Sequence, residues 1–206
     1  LFLLIGDLEL SIYEDRLSEN WTKTLNKDEP AFRFISAFYR VIEQLTTKLN
    51  IDVVLIDVGP NLGAINRVAL VSTDFIVLPV ASDLFSLQGM KNLGKALIDW
   101  REQWQDRYNR NPEKSLNLPQ GNMRPLGYII MQYQAKESRP VKAYLKWANR
   151  VPNVYRESVL GELAQNLEKD AEEDTNCLGL LKHYHSLMPM AMEAKKPIFL
   201  LKPADG

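Results

Sequence analysis

The sequence is poor in cysteine, in histidine and in long apolar runs, and each shortage excludes a class of protein. Its 206 residues include one cysteine, Cys177, and two histidines. This excludes a disulfide framework and a multi-cysteine metal site, and it fits a reducing cytosol. No apolar run approaches the ~20 residues that a membrane-spanning helix needs. Charge of one sign is not in excess either, because 25 Lys and Arg stand against 26 Asp and Glu. This balance excludes a histone-like nucleic-acid binder but leaves room for a local basic face.

What the sequence does contain is typical of a globular α/β domain. Hydrophobic residues make up 46% and charged residues 25% of the chain, as in ordinary globular proteins. Apolar runs of strand length alternate with longer segments of helical periodicity. The predicted strands are 1–5, 51–57, 75–80, 125–131 and 198–201, and the predicted helices are about 8–25, 30–49, 64–71, 84–107, 141–149 and 155–170. The alternation predicts a single domain over residues 1–206, with a doubly wound, mostly parallel sheet and helices on both of its faces.

The segment after the strand 51–57 carries the most chemistry. In doubly wound sheets, ligands bind beyond the carboxyl ends of the strands, and Asp57 stands at such an end. Gly59 and Gly63 then flank a loop whose backbone can approach a ligand closely. This is the pattern of a Walker B strand followed by a switch loop. The alternative is a strand-end aspartate that caps the next turn, and so short a motif, taken alone, favours that alternative.

The wider context of Asp57 resembles the ParA/MinD family of partition ATPases. The resemblance is densest from Asp52 to Leu93, where it includes Gly59-Pro60-Asn61-Leu62-Gly63. The segments that carry it are 51–67, 69–70, 74–80 and 83–93, with looser likeness at 3–11 and 192–198. It implies a fold of the P-loop NTPase type.

By this resemblance, Asp57 would orient a water molecule on the Mg²⁺ of bound ATP, and Gln132 would lie near the adenine. The residues implied in sensing the γ-phosphate are Gly59, Pro60, Asn61 and Gly63. The resemblance also implies an ATP-dependent homodimer, a ParB-like protein that stimulates hydrolysis, and nonspecific contact with DNA. Such a protein would partition plasmids or chromosomes, or position other cargo, in the cytoplasm and in association with the nucleoid.

The sequence departs from the family in one element. The family's glycine-rich phosphate loop, with its lysine, precedes the strand that residues 1–5 resemble, and residues 1–206 contain no equivalent. The segment Gly89–Ala96 fits G-x-x-x-x-G-K, but Ala96 stands where Ser or Thr would bind Mg²⁺, and the surrounding periodicity is helical. We therefore expect a helix there. We expect the chain to be the larger, C-terminal part of a ParA-like ATPase domain, incomplete at its N-terminus and inactive alone; the alternative is a non-catalytic scaffold or interaction module.

A basic segment lies between residues 136 and 156. It holds six basic residues and one acid, a net charge of +5. The residues that we predict to contact DNA phosphates are Arg139, Lys142, Lys146 and Arg150, of which the last three recur at a spacing of four and share a helix face. The alternatives are a solvated helix face, or a face neutralised by the acidic stretch 168–174.

Two further patterns have plainer interpretations. His183 and His185 are two residues apart and share no helix face, so we interpret them as loop residues rather than metal ligands. Trp100 and Trp104, at a spacing of four, are interpreted as core or interface packing.

Overall fold

A computed structural model describes residues 2–133, 135–136, 139–140, 142–163, 170–182, 184 and 186–205. The chain divides into two compact units. The first unit comprises Leu1–Ile76 and Asn92–Leu126, and the second comprises Val77–Lys91 and Gly127–Gly206.

The described residues form eight α-helices and five strands. The helices are α1 (Glu14–Lys23), α2 (Glu29–Ile35), α3 (Ala37–Leu49), α4 (Ala64–Val71), α5 (Leu84–Arg110), α6 (Lys142–Ala148), α7 (Val151–Tyr155) and α8 (Leu187–Ala194). The strands are β1 (Phe75–Ala81), β2 (Arg124–Tyr133), β3 (Ala135–Lys136), β4 (Arg139–Pro140) and β5 (Cys177–Lys182). Short 3₁₀ turns occur at Leu8–Tyr13, Thr24–Asn26, Ile198–Leu200 and Pro203–Asp205, and a π turn occurs at Arg156–Leu160.

The helical hairpin of α2 and α3 shows how local chemistry sets the helix ends. The Asp28 carboxylate accepts a hydrogen bond of 2.9 Å from the Ala31 N–H, and Pro30 occupies the first turn, as expected of a helix start. The predicted helix 30–49 is interrupted at Ser36, whose hydroxyl donates to the Phe32 carbonyl at 2.8 Å. A serine that bonds back to the preceding turn competes with the helical ladder and bends it. The second half ends at Asn50 with a left-handed backbone, φ 52°.

Aromatic packing forms the core of the first unit. Trp21 and Trp104 are buried and stack with ring centroids 5.6 Å apart. The Trp104 indole N–H donates to the Pro119 carbonyl at 2.9 Å, so its polar edge is satisfied inside the core. Trp100 is buried as well. The prediction that Trp100 and Trp104 pack in the core is confirmed.

The sheet confirms the predicted fold class. Three parallel strands run in the order β1-β2-β5, with helices around them, as the predicted α/β class requires. Tyr128 lies opposite Cys177 and Ile130 opposite Leu180 in the register of β2 and β5. The predicted strands 75–80 and 125–131 are β1 and β2, whereas β5 had no counterpart in the sequence predictions.

Three other predicted strands are wrong. Residues 2–5 and 51–57 form no strand, and Ile198–Leu200 is a 3₁₀ turn. In the first two segments most apolar side chains face solvent, with Leu3 83% and Leu55 92% exposed. Within the described part of the chain neither segment has a neighbouring strand to satisfy its backbone N–H and C=O groups. An apolar run without such a neighbour cannot be buried as a strand.

The helix predicted at 155–170 is also wrong in extent. The helical backbone starts at Val151, passes through the π turn, and ends at Gly161, whose φ of +71° closes it. Residues 164–169 of that prediction lie outside the described residues. Of the helices that are described, none combines the length and apolar character that a membrane span requires.

Candidate functional site

Asp57 ends an extended, solvent-exposed segment in the first unit. No described residue forms a hydrogen bond or an ion pair with its carboxylate, so Asp57 does not cap the following turn, as the alternative interpretation had it. That role falls to Asn61, whose Oδ1 accepts a hydrogen bond of 2.9 Å from the Gly63 N–H. Asp57 therefore keeps both carboxylate oxygens available to a ligand or to water on a cation.

The loop between Asp57 and α4 is braced from inside by Asn66. The side chain of Asn66 is buried, and its Nδ2 donates to the carbonyls of Gly59 at 2.6 Å and Asn61 at 2.8 Å. Both amide protons are used, so the side chain fixes two points of the loop backbone at once. Asn66 is not among the site residues predicted from the sequence. The available signal was an asparagine in the first turn of a helix that follows a glycine-rich loop.

The N-terminus of α4 is capped by a residue from a distant part of the chain. Gly63 precedes the helix and has no side chain with which to cap it. Instead, the carboxylate of Glu14 on α1 accepts hydrogen bonds from the N–H groups of Ala64 and Ile65, the latter at 3.0 Å. A negative charge at the positive end of a helix is stabilising. Glu14 lies fifty residues from its partners, so no local pattern could have indicated this contact.

Two arginines hold Trp21 beneath this helix. The guanidinium carbon of Arg67, on α4, lies 4.3 Å from the Trp21 ring centroid, and that of Arg107, on α5, lies 4.6 Å from it. Burial, followed by the charge of Arg107, lowers the pKa of Arg67 to about 10, so Arg67 remains protonated at neutral pH. The buried Arg67 Nε has no hydrogen-bond partner. The ring face of Trp21 stabilises this cation, and the negative charge of Glu14 also favours it.

The segment that matches the phosphate-loop consensus is part of a helix. Gly89–Ala96 lies within α5, as the sequence analysis expected, and its backbone N–H groups belong to a helix interior. Elsewhere among the described residues, no loop from a strand to a helix combines glycines with a lysine. The described residues thus do not provide a phosphate cradle.

The predicted DNA-contacting residues lie in the second unit. Lys146 and Arg150 are exposed, neither pairs with a described acid, and the Arg150 guanidinium lies 4.7 Å from the ring of Trp147. Arg139 lies in β4 and Lys142 begins α6, while Gln132 lies in β2. The side chains of these three residues lie outside the described part of the structure.

The acidic stretch 168–174 neutralises one residue of the basic segment, Arg156, through Asp174. Asp170 accepts a hydrogen bond of 2.6 Å from Asn149 Nδ2. Asp174 is buried, accepts a bond of 2.7 Å from the Tyr128 hydroxyl, and pairs with Arg156. Arg156 is thereby removed from the basic segment. Burial, and then the hydrogen bond and charge of Asp174, raise the pKa of Tyr128 well above its ordinary value.

No metal-binding group of His, Cys, Asp and Glu side chains is found among the described residues. His183 and His185 are outside them.

Comparisons with known proteins bear on the family and the fold of the chain. A family model described as an AAA domain matches residues 2–111, which include the loop and all of its braces. No curated protein matches the chain. Among solved structures, the chain is similar to protein DIP2308 from Corynebacterium diphtheriae, with a TM-score of 0.65 and 22% identity, over 87% of this chain and 59% of that one. The chain thus spans about three fifths of the length of that protein, and the likeness at this identity is one of fold.

Proposed function

Because the chain belongs to the AAA domain family, here a P-loop ATPase domain of the ParA/MinD-like type, we propose that it is part of an ATP-dependent switch that partitions DNA or positions other cargo. The observation that carries the proposal is the braced loop. An unpaired carboxylate, Asp57, precedes a five-residue loop whose backbone is fixed at Gly59, Asn61 and Gly63.

The residues of this loop have separate roles in the proposed switch. Asp57 would accept a hydrogen bond from water on Mg²⁺, since an exposed carboxylate at this place has no other partner. The loop of Gly59, Pro60, Asn61 and Gly63 would present backbone groups to the terminal phosphate, and Asn66 would keep those groups in place. Bound Mg-ATP would supply the γ-phosphate whose presence or loss the loop reads. The phosphate cradle would be provided by residues other than the described ones.

A pair of aspartates on one exposed segment offers a matched test. In the protein expressed from its complete reading frame, we expect Asp57→Asn to lower Mg²⁺-dependent ATP hydrolysis by on the order of a hundredfold, as when a preorganised polar group is removed from an active site. Asp52→Asn removes the same charge from an exposed position five residues earlier and should leave the rate unchanged. Equal rates for both variants would refute the role of Asp57.

The proposal extends to DNA through the basic residues of the second unit. Lys146 and Arg150 are exposed and free of acidic partners in the described structure, so both charges are available to phosphates. Nonspecific contact with the DNA backbone would anchor the switch to its cargo. A stimulating partner protein and an ATP-dependent homodimer complete the scheme, and both are proposed from the family alone.

Charge reversal on matched helix faces tests the DNA contact. Lys142→Glu with Lys146→Glu should weaken retention on nonspecific DNA at low salt and reduce the slope of affinity against salt by about two. Lys91→Glu with Lys95→Glu makes the same charge change at two exposed, i,i+4 positions of α5 and should have a smaller effect. Retention that is unchanged in the first pair would exclude this face as the DNA contact.

A second candidate function is favoured by the lack of a phosphate cradle among the described residues. In it, the domain is a non-catalytic scaffold or interaction module that has lost nucleotide hydrolysis. Elution volume on a sizing column separates the two. A shift to a dimer with Mg-ATP supports the switch, and an unchanged volume together with a hydrolysis rate at background favours the module.

A further inference from the structure

We propose that α1 is a two-point clamp on α4 and that Glu14 is the positioning residue of the 59–63 loop. One point is the Glu14 carboxylate on the N–H groups of Ala64 and Ile65, and the other is the Trp21 ring beneath Arg67. The inference rests on the proposed function only in assigning the loop to phosphate sensing. The clamp itself is a statement about contacts within the first unit.

The two contacts lie on one face of α1. Glu14 and Trp21 are seven residues apart, which is about two turns, so both side chains project from the same side of the helix. Their partners also lie close together, because Arg67 is one turn after Ala64 in α4. A rigid helix that touches its neighbour at two points fixes the position and the rotation of that neighbour.

The clamp reaches the loop through Gly63. A Cβ placed on Gly63 would lie 2.6 Å from Glu14 Oε1 and 2.9 Å from Asn61 Oδ1, so the glycine is where the carboxylate, the loop and the helix meet. Asn66, in the same first turn of α4, holds the other end of the loop by its carbonyls. Movement of α4 therefore moves the loop, and movement of the loop strains the hydrogen bonds that Glu14 accepts.

The far end of α1 is anchored to α5. Arg107 Nε donates to the Trp21 carbonyl at 3.1 Å, and the Trp21 indole N–H donates to Gln103 Oε1 at 3.1 Å. α1 is therefore held against the core at Trp21 and reaches out to the loop at Glu14. Helix α1 therefore connects the core of the first unit to the loop, and Glu14 makes the contact at the loop end.

Site-resolved amide hydrogen exchange tests the clamp without nucleotide. In Glu14→Gln, we expect exchange of the Ala64 and Ile65 amides to rise about tenfold, as when a helix cap is lost. The faster exchange should extend to Gly63, and the Trp21 indole resonance should shift. Asp15→Asn, which removes a charge from the adjacent exposed residue, should change none of these. The Ala31 amide, held by the Asp28 carboxylate in the same manner, is an internal reference.

A second variant approaches the contact from the opposite side. Gly63→Ala should displace the Glu14 carboxylate and accelerate the same two amides. Unchanged exchange in both Glu14→Gln and Gly63→Ala would overturn the clamp, as would an equal effect of Asp15→Asn.

Addition of Mg-ATP at about 5 mM, above the usual range of KM values, then separates this inference from the proposed function. Faster amide exchange in Glu14→Gln, with no change in exchange of the loop amides on addition of Mg-ATP, would support the clamp and count against phosphate sensing. A loop response to Mg-ATP with no effect of Glu14→Gln would support phosphate sensing and refute the clamp.

Discussion

Removal of Asp174 should destabilise the second unit more than any other single charge deletion that the described structure suggests. The Asp174 side chain is fully buried, and it serves two partners, the Arg156 guanidinium and the Tyr128 hydroxyl. In Asp174→Ala, Arg156 keeps its charge at a site where its side chain is only 12% exposed, and the buried Tyr128 hydroxyl loses its acceptor. Breaking a buried pair from one side typically costs 3–5 kcal/mol, so we expect a loss of about 4 kcal/mol. That is a large fraction of the stability of an ordinary domain.

A second acidic residue beside Arg156 serves as the control, because it is exposed whereas Asp174 is buried. Glu162 lies 3.9 Å from Arg156 Nε and is 47% exposed. Glu162→Ala should therefore cost less than about 1 kcal/mol, because solvent screens an exposed pair and already competes for it. A third variant, Arg156→Met with Asp174→Leu, removes both charges and should recover much of the lost stability, although Tyr128 still lacks its acceptor.

Urea unfolding followed by far-UV circular dichroism measures the three free energies, with the slope m as a check that the unfolded state is unchanged. We expect Asp174→Ala to be the least stable variant, the double variant to be intermediate, and Glu162→Ala to be close to the starting protein. A loss of under about 1 kcal/mol in Asp174→Ala would show that Arg156 and Tyr128 find other partners or water. A double variant as unstable as Asp174→Ala would show that shape, not charge, determines the effect.

Two further predictions concern backbone strain and pH. Gly121→Ala and Gly161→Ala both place a side chain at positive φ (+67° and +71°), but only the Gly121 Cβ would meet a core ring, that of Trp104. In thermal unfolding, Gly161→Ala should cost about 1 kcal/mol and Gly121→Ala at least about 2 kcal/mol more; equal costs would contradict the close packing of Trp104. Burial, and then the charge of Asp174, raise the pKa of Tyr155 to about 12 from an ordinary value of 10.0. The unfolded chain thus loses this proton first, so the contribution of Tyr155 to stability is complete below pH 10 and is lost as the pH rises toward 12. Urea midpoints should fall over that range and fall less in Tyr155→Phe, while the absorbance of Tyr155 at 295 nm should rise only near pH 12.

Local patterns in the sequence were sufficient for the elements whose neighbours are close along the chain. The run 75–80, bounded by polar turns, is β1, and the helical spacing from Leu84 is α5. The loop after Asp57 and the start of α4 also follow from local chemistry, because glycine and asparagine have well-defined preferences at such turns. The consensus match at Gly89–Ala96 could be set aside on periodicity alone.

The contacts that complete the candidate site could not be found in this way. In the sequence, Glu14 is one of several acids near the start of a predicted helix. Its hydrogen-bond partners are determined by the packing of α1 on α4. Asn66 is more informative, since an asparagine buried in the first turn of an apolar helix must satisfy its amide. Even so, the sequence does not say that both of its protons go to the loop carbonyls of Gly59 and Asn61.

The wrong strand at 51–57 shows that an apolar pattern alone does not make a segment form a strand. The run 51–57 has the unbroken β-branched composition of a strand covered on both faces, yet Val53 is 73% and Leu55 92% exposed. The composition of a segment indicates the environment in which it would be stable. Strand formation also requires backbone hydrogen bonds to a neighbouring strand, which no described residue supplies. Because Asp57 follows this run directly, the position of the proposed Mg²⁺-facing carboxylate depends on the same missing pairing. A strand that paired with 51–57 would therefore both bury Leu55 and fix the position of Asp57.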